Sequence, residues 1–203
     1  MEEKVKASEK VIRIAQALGF LLNLDDNHKM NRLKLIKLLW AADRIHIRKY
    51  GRTITNLNDY YAMPHGPVCS LALDIAQMND IALNDDDISY LNDYFTSDIK
   101  DTSMQKNPGE DRLSDSDKKA LEEAWKKFKD ENPFELADNI SHKYPEWAKY
   151  GTISGRQPID MENFFENPRD DIYFEEDAET LEAAHEIYKE NKQVQEELYQ
   201  IFC

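Results

Sequence analysis

The chain has 203 residues, 40 acidic against 26 basic side chains and a formal net charge of −14, with 41% hydrophobic residues and only 6 glycines. A chain of this length buries roughly 70% of the surface that its unfolded form exposes. The 3 Trp, 10 Tyr and 8 Phe supply apolar area against chain entropy, which excludes wholesale disorder, and the glycine count excludes collagen-like and low-complexity classes.

Residues 3–24 read as a helix, with Val5, Val11, Ile12, Ala15, Leu18 and Leu22 recurring near its period. Asn31 is placed to cap a second helix over 32–50, and Gly51 stands where a left-handed C-cap glycine belongs. On that helix Lys34, Lys37, Ala41, Arg44 and Arg48 trace a polar stripe, while Leu35, Ile36, Leu39, Trp40, Ala42 and Ile47 form a broad apolar one. So wide an apolar face predicts a central helix packed on more than one side. Residues 53–63, rich in β-branched and aromatic types, suit an extended segment ending at Pro64, and Gly66-Pro67 opens another helix through Val68, Leu71, Ile75 and Met78. A short helix follows over 85–94, then a weak hairpin from 95–99 and 102–105, and a turn at Asn107-Pro108-Gly109. Ser114 with Asp117 makes a capping box for a helix over 115–129, and Asn132-Pro133 starts a shorter one carrying Phe134, Ala137 and Ile140. Residues 151–176 read as irregular. A last helix spans 177–202, with a thin stripe of Leu181, Ala184, Tyr188, Leu198 and Ile201. The expected fold class is mostly α, a single domain around a central buried helix with a small β-hairpin or sheet element.

Residues 1–80 hold 12 Lys/Arg against 9 Asp/Glu, a net +3, whereas residues 81–203 hold 14 against 31, a net −17. The acidic part repels phosphate backbones, so direct contact with nucleic acid is not expected; it favours a basic partner, or simply solubility. Two cysteines, Cys69 and Cys203, make no disulfide scaffold and point to free thiols in a reducing cytoplasm. Neither a basic-then-apolar leader nor a span is visible, since the longest apolar-rich stretch, Ile36 to Ile47, contains Lys37, Asp43, Arg44 and His46. A soluble cytoplasmic protein without membrane contact is expected.

Asp43 and His46, three residues apart on the central helix, flank its apolar stripe and must be hydrogen-bonded if buried. One reading joins them to His65 and His142 as zinc ligands or acid/base groups. The spacing matches no metal signature, however, and a satisfied network fixing how three segments meet is the simpler reading, with no cofactor or metal. Met63-Pro64-His65-Gly66-Pro67-Val68 is a stiff turn before a helix N-terminus, suited to an anion or to a rigid corner tethered by His65. Without a glycine-rich phosphate loop, a Gly-x-Ser-x-Gly elbow or an activated cysteine, no enzyme is indicated. Trp147, in His142-Lys-Tyr-Pro-Glu-Trp147, is either a half-exposed interface anchor or a core residue.

Together, the run from Asn31 to Thr55 and the run Tyr61-Ala-Met-Pro-His-Gly-Pro-Val68 resemble the Panacea domain, the SocA-like antitoxin domain. The helix start at Leu113-Ser114-Asp115 and the ending His142…Pro145-Glu-Trp147 are similar to that domain's later part. The resemblance covers roughly residues 10–150, which divides the chain into an antitoxin domain over 1–150 and an extension over 151–203 ending in a helix. It implies an antitoxin from a bacterial or prophage toxin–antitoxin pair, neutralising a cognate toxin, encoded by an adjacent gene, through direct protein contact. An alternative is an adaptor delivering the toxin to a Clp-type protease, and a cryptic metal-dependent enzyme is a third reading. Trp40, Asp43, His46, Tyr50, Pro64, His65, Gly66, Pro67, His142 and Trp147 are the motif residues expected to build the scaffold or meet the partner. No helix-turn-helix segment is evident.

Overall fold

The computed structural model describes residues 7–79, 83–151 and 155–202. Helix α1 (Glu9–Asn23) follows its apolar spacing, burying Val11, Ile14, Ala15, Leu18, Leu21 and Leu22. Val5, expected in the same helix, lies outside the described residues, as does Cys203. Strand β1 (Lys29–Asn31) runs straight into α2 (Arg32–Tyr50), where the Asn31 side chain accepts the Lys34 N–H at 3.3 Å. Gly51 ends α2 at φ 70°, with its N–H on the Ile47 carbonyl.

Every residue of α2 from Leu35 to Arg48 is buried. The polar stripe expected along Lys37, Arg44 and Arg48 is therefore corrected: those cations face protein, because other elements pack against α2 on several sides.

Strands β2 (Tyr60–Met63) and β3 (Gly66–Cys69) form an antiparallel hairpin around Pro64 and His65, with Met63 opposite Gly66. The helix expected from Gly66-Pro67 begins later, as α3 (Ser70–Gln77). Pro67 sits instead on an edge strand, where a missing N–H deprives no neighbour. The first free N–H groups of α3 are taken by Asp59, whose carbonyl accepts from Ser70 at 2.9 Å and whose carboxylate accepts from Leu71 at 3.0 Å. The turn thus does not present a helix N-terminus to an anion. Cys69, expected in a helical stretch, is a buried free thiol closing β3.

Helix α4 (Asp85–Asn92) is capped by Asn84. Strands β4 (Phe95–Ser97) and β5 (Asp101–Met104) make the expected hairpin, and β1 joins its open edge with Met30 opposite Thr102. Helix α5 (Asp115–Phe128) starts in the full capping box of Ser114 and Asp117. Asn132 accepts the Phe134 N–H as a cap should, but Glu135–Ile140 then wind as a π-helix and Ser141–Lys143 as a 3-10 turn before α6 (Pro145–Ala148). The stretch expected to be irregular holds β6 (Gln157–Pro158), paired with β2, and a 3-10 turn at Met161–Phe165; α7 (Ala178–Phe202) closes the chain. The fold is mostly α, with two three-stranded antiparallel sheets, β1-β5-β4 and β3-β2-β6, set around the buried α2. Phe164, Phe165, Phe174, Ala184 and Tyr188 from residues 155–202 join the same hydrophobic core. No helix among the described residues is long and apolar enough to cross a membrane.

Candidate functional site

A carboxylate without exposed surface survives only if donors surround it. Asp43, on α2, accepts from the Ile54 N–H at 2.5 Å, the Thr55 N–H at 3.2 Å, the Thr55 hydroxyl at 3.0 Å and the Tyr60 hydroxyl at 2.7 Å. Burial pushes its pKa up to about 6 against these four donors, so it is ionised at neutral pH. The residue fastens the loop after α2 and the start of β2 to the central helix.

His46 has different partners. Its Nδ1 lies 2.8 Å from the Arg52 carbonyl, which can only accept, so Nδ1 carries the proton and Nε2 takes the Ser116 hydroxyl at 3.0 Å. Asp117 is 3.2 Å from Nε2 and also holds Arg13 at 2.7 Å and Arg52 at 2.9 Å. Burial, helped by the guanidinium of Arg52, lowers the His46 pKa to about 4 and keeps the ring neutral. Tyr50, one turn on, lies 4.6 Å from the His46 ring, centroid to centroid, and is 44% exposed.

The third cluster joins the middle of α2 to α6. Glu146 accepts the Trp40 indole N–H at 2.9 Å and the Arg44 guanidinium at 2.6 Å, all three without exposed surface. Arg44 also donates to the Glu166 carbonyl and to Asn167, and its guanidinium lies 4.5 Å from the Tyr144 ring centroid. Tyr144 donates to Asp171 at 2.6 Å, and Arg48 donates to the Phe164 carbonyl at 2.9 Å.

The hairpin turn closes on the π-helix. Lys37, fully buried, donates to the Pro67 carbonyl at 2.7 Å, and burial holds its pKa well below the usual lysine range. Gly66, at φ +94°, permits this approach: a Cβ there would lie 2.2 Å from Ser141 Oγ and 2.7 Å from Lys37 Nζ. Pro64 and His65 are exposed at the tip, with His65 Nδ1 3.1 Å from Asp138. His142 lies 3.9 Å from the same carboxylate and stacks on Trp147 at 3.4 Å, and burial lowers its pKa. Trp147 is buried, its indole N–H on the Met63 carbonyl at 2.8 Å.

The motif residues therefore fall into separate clusters. His65 and His142 meet at Asp138, whereas Asp43 and His46 both bond to the loop after α2, at Ile54/Thr55 and at Arg52; the four do not converge. Among the described residues no group of three His, Cys, Asp or Glu side chains is arranged to hold a metal ion. Sequence reasoning missed Lys37, Arg44, Asp117 and Glu146 as structural centres. The available signal was a helix with so broad an apolar face that the polar stripe of Lys37, Arg44 and Arg48 had little room to reach water, and a glutamate between Pro145 and Trp147 that could answer one of them.

Comparison with curated proteins and with solved structures gave no significant match. The model of the family described as "Antitoxin SocA-like, Panacea domain" matches residues 35–148, more than half of the chain, from the first turn of α2 to the end of α6. That span holds all three clusters' residues on α2, the hairpin, the π-helix and α6, and the chain belongs to the SocA-like antitoxin, Panacea domain family.

Proposed function

We propose that the protein is the antitoxin of a bacterial toxin–antitoxin pair, neutralising its toxin in the cytoplasm by direct stoichiometric binding and not by catalysis. The observation that carries this reading is the family match over residues 35–148. The geometry supports it: the motif side chains Trp40, Asp43, His46 and Trp147 are buried and bonded to other parts of the same chain. They act as scaffold, and Tyr50, Pro64 and His65, which reach the surface, are the motif residues available to a partner. Residues 1–150 then form the antitoxin domain and 151–203 an extension that packs on it.

The test is expression of the adjacent gene alone and together with this chain. Growth arrest by the neighbour, relieved by co-expression, is the expected result, and arrest that persists overturns the reading. Relief that survives in a host lacking Clp proteases, with a purified 1:1 complex, favours masking; relief that vanishes there favours delivery to the protease.

A further inference from the structure

Helix α7 is held to the body by only part of its length. Ala184 and Tyr188 are buried against the core and Phe165 stacks on His185. From Lys189 to Gln200 every described side chain is exposed except Lys192, which is half-buried. The anchored half also fixes where the helix leaves the body: a Cβ on Gly51 would sit 2.6 Å from the Ala184 carbonyl and 2.8 Å from Ile187, so α7 lies directly on the end of α2.

An apolar edge runs from the anchored half of α7 into the projecting half. Ile187, Val194 and Leu198 are 44, 53 and 48% exposed and lie on one edge of the helix, at spacings of seven and four. Glu190, three residues after Ile187 and four before Val194, and Glu197, three after Val194, lie beside this edge. Val194 also lines a groove of about 300 Å³ between α7 and the loop after Gly51. Over 189–200 the helix carries three glutamates and two lysines, and Lys189 and Lys192 lie on the side away from Val194 and Leu198, which leaves Glu190 and Glu197 as the charges beside the apolar edge.

We propose that this projecting half of α7 is a docking ridge for a basic protein with an apolar cleft, the cleft taking Val194 and Leu198 and its cationic rim meeting Glu190 and Glu197. The proposal rests on the antitoxin reading and names the part of the chain that makes contact. A second copy of this chain fits poorly. It would set Glu190 and Glu197 against the same pair on a ridge of three apolar side chains, too little surface for the roughly 1,200 Å² that stable interfaces bury. A partner of opposite charge removes the repulsion, and a cleft that encloses the edge buries more of the helix than a facing ridge would; rim charge speeds encounter and the apolar edge slows release.

The test uses the full chain and the purified product of the adjacent gene, with binding kinetics measured for wild type, Val194→Ala/Leu198→Ala and Glu190→Gln/Glu197→Gln. Both pairs are exposed, so helical circular dichroism and the melting temperature should match wild type. The alanine pair should weaken the complex at least about tenfold, mainly through faster dissociation. The glutamine pair should slow association by about threefold or more and flatten its salt dependence. Wild-type affinity in both variants overturns the ridge while leaving the antitoxin reading intact. A wild-type chain that neither binds nor rescues removes the reading itself, and the proposal with it. A dimer of this chain alone that the alanine pair dissociates overturns the proposal in favour of a second copy.

Discussion

A guanidinium with no exposed surface requires its charge answered in place, and for Arg44 the answer is Glu146 at 2.6 Å. Removing one partner of such a pair strands the other and costs about 3–5 kcal/mol. Glu146→Gln keeps the shape and a Trp40 acceptor but removes the charge. Its unfolding free energy from urea titration should fall by that amount, and a loss under about 1 kcal/mol would mean that Arg44 finds another counter-charge. His46 adds a pH dependence whose sign is fixed by its lowered pKa. Its contribution is fully present above about 6.5, the unfolded value, and is lost as pH falls towards about 4, because only the unfolded chain binds the proton in that window. Asp43, raised to about 6, acts oppositely and favours the fold as pH falls through the same range. The two nearly cancel in the wild type, so the difference between wild type and His46→Gln is the informative measurement. The wild-type advantage at pH 7 should shrink by about 2–3 kcal/mol by pH 4, and an advantage that stays constant would show that His46 titrates normally.

The elements most legible in the sequence are those whose signals are local. Asn31, Gly51 and the pair Ser114/Asp117 end or start helices through bonds within four residues, and each sits where its residue type demands. The partners of the buried cations of α2 were not legible, because they lie far along the chain: Arg44 reaches Glu146 across 102 residues and Arg48 reaches Phe164 across 116, so no local pattern pairs them. Gly66-Pro67 misled for a related reason. Proline at a helix start and proline on an edge strand look alike until the strand's position in its sheet is known. At the hairpin, Gly66→Ala should destabilise by about 2–4 kcal/mol, combining the left-handed backbone with overlap on Ser141 and Lys37. A melting temperature equal to wild type would show that the π-helix can move aside. At the other end of α2, Gly51→Ala should act on an element, not on the whole fold. By pushing against Ala184 and Ile187 it should raise amide exchange along α7 more than along α1, and uniform exchange would contradict that hinge-like coupling.

Across the molecule, charge and buried structure are divided unequally. The net +3 of residues 1–80 includes cations that are internal: Lys37, Arg44 and Arg48 contribute little to the outer surface. The net −17 of residues 81–203 is carried largely on exposed positions, among them Glu186, Glu190 and Glu197 of α7. Five acids, Asp43, Asp87, Asp117, Glu146 and Asp171, are buried as well, so the outer surface keeps most of the acidic excess that the sequence carries, and its field should steer a basic partner. Salt separates this from solubility alone, since the screening length shortens from about 30 Å near 10 mM to about 3 Å near 1 M. Association of the adjacent gene's product should slow by about tenfold or more across that range, while dissociation, governed by apolar contact, should change by less than about threefold. An association rate indifferent to salt would mean that the acid keeps the protein dispersed and plays no part in finding the toxin; a dissociation rate that rises steeply instead would move the charged pairs from the rim of the contact into its centre.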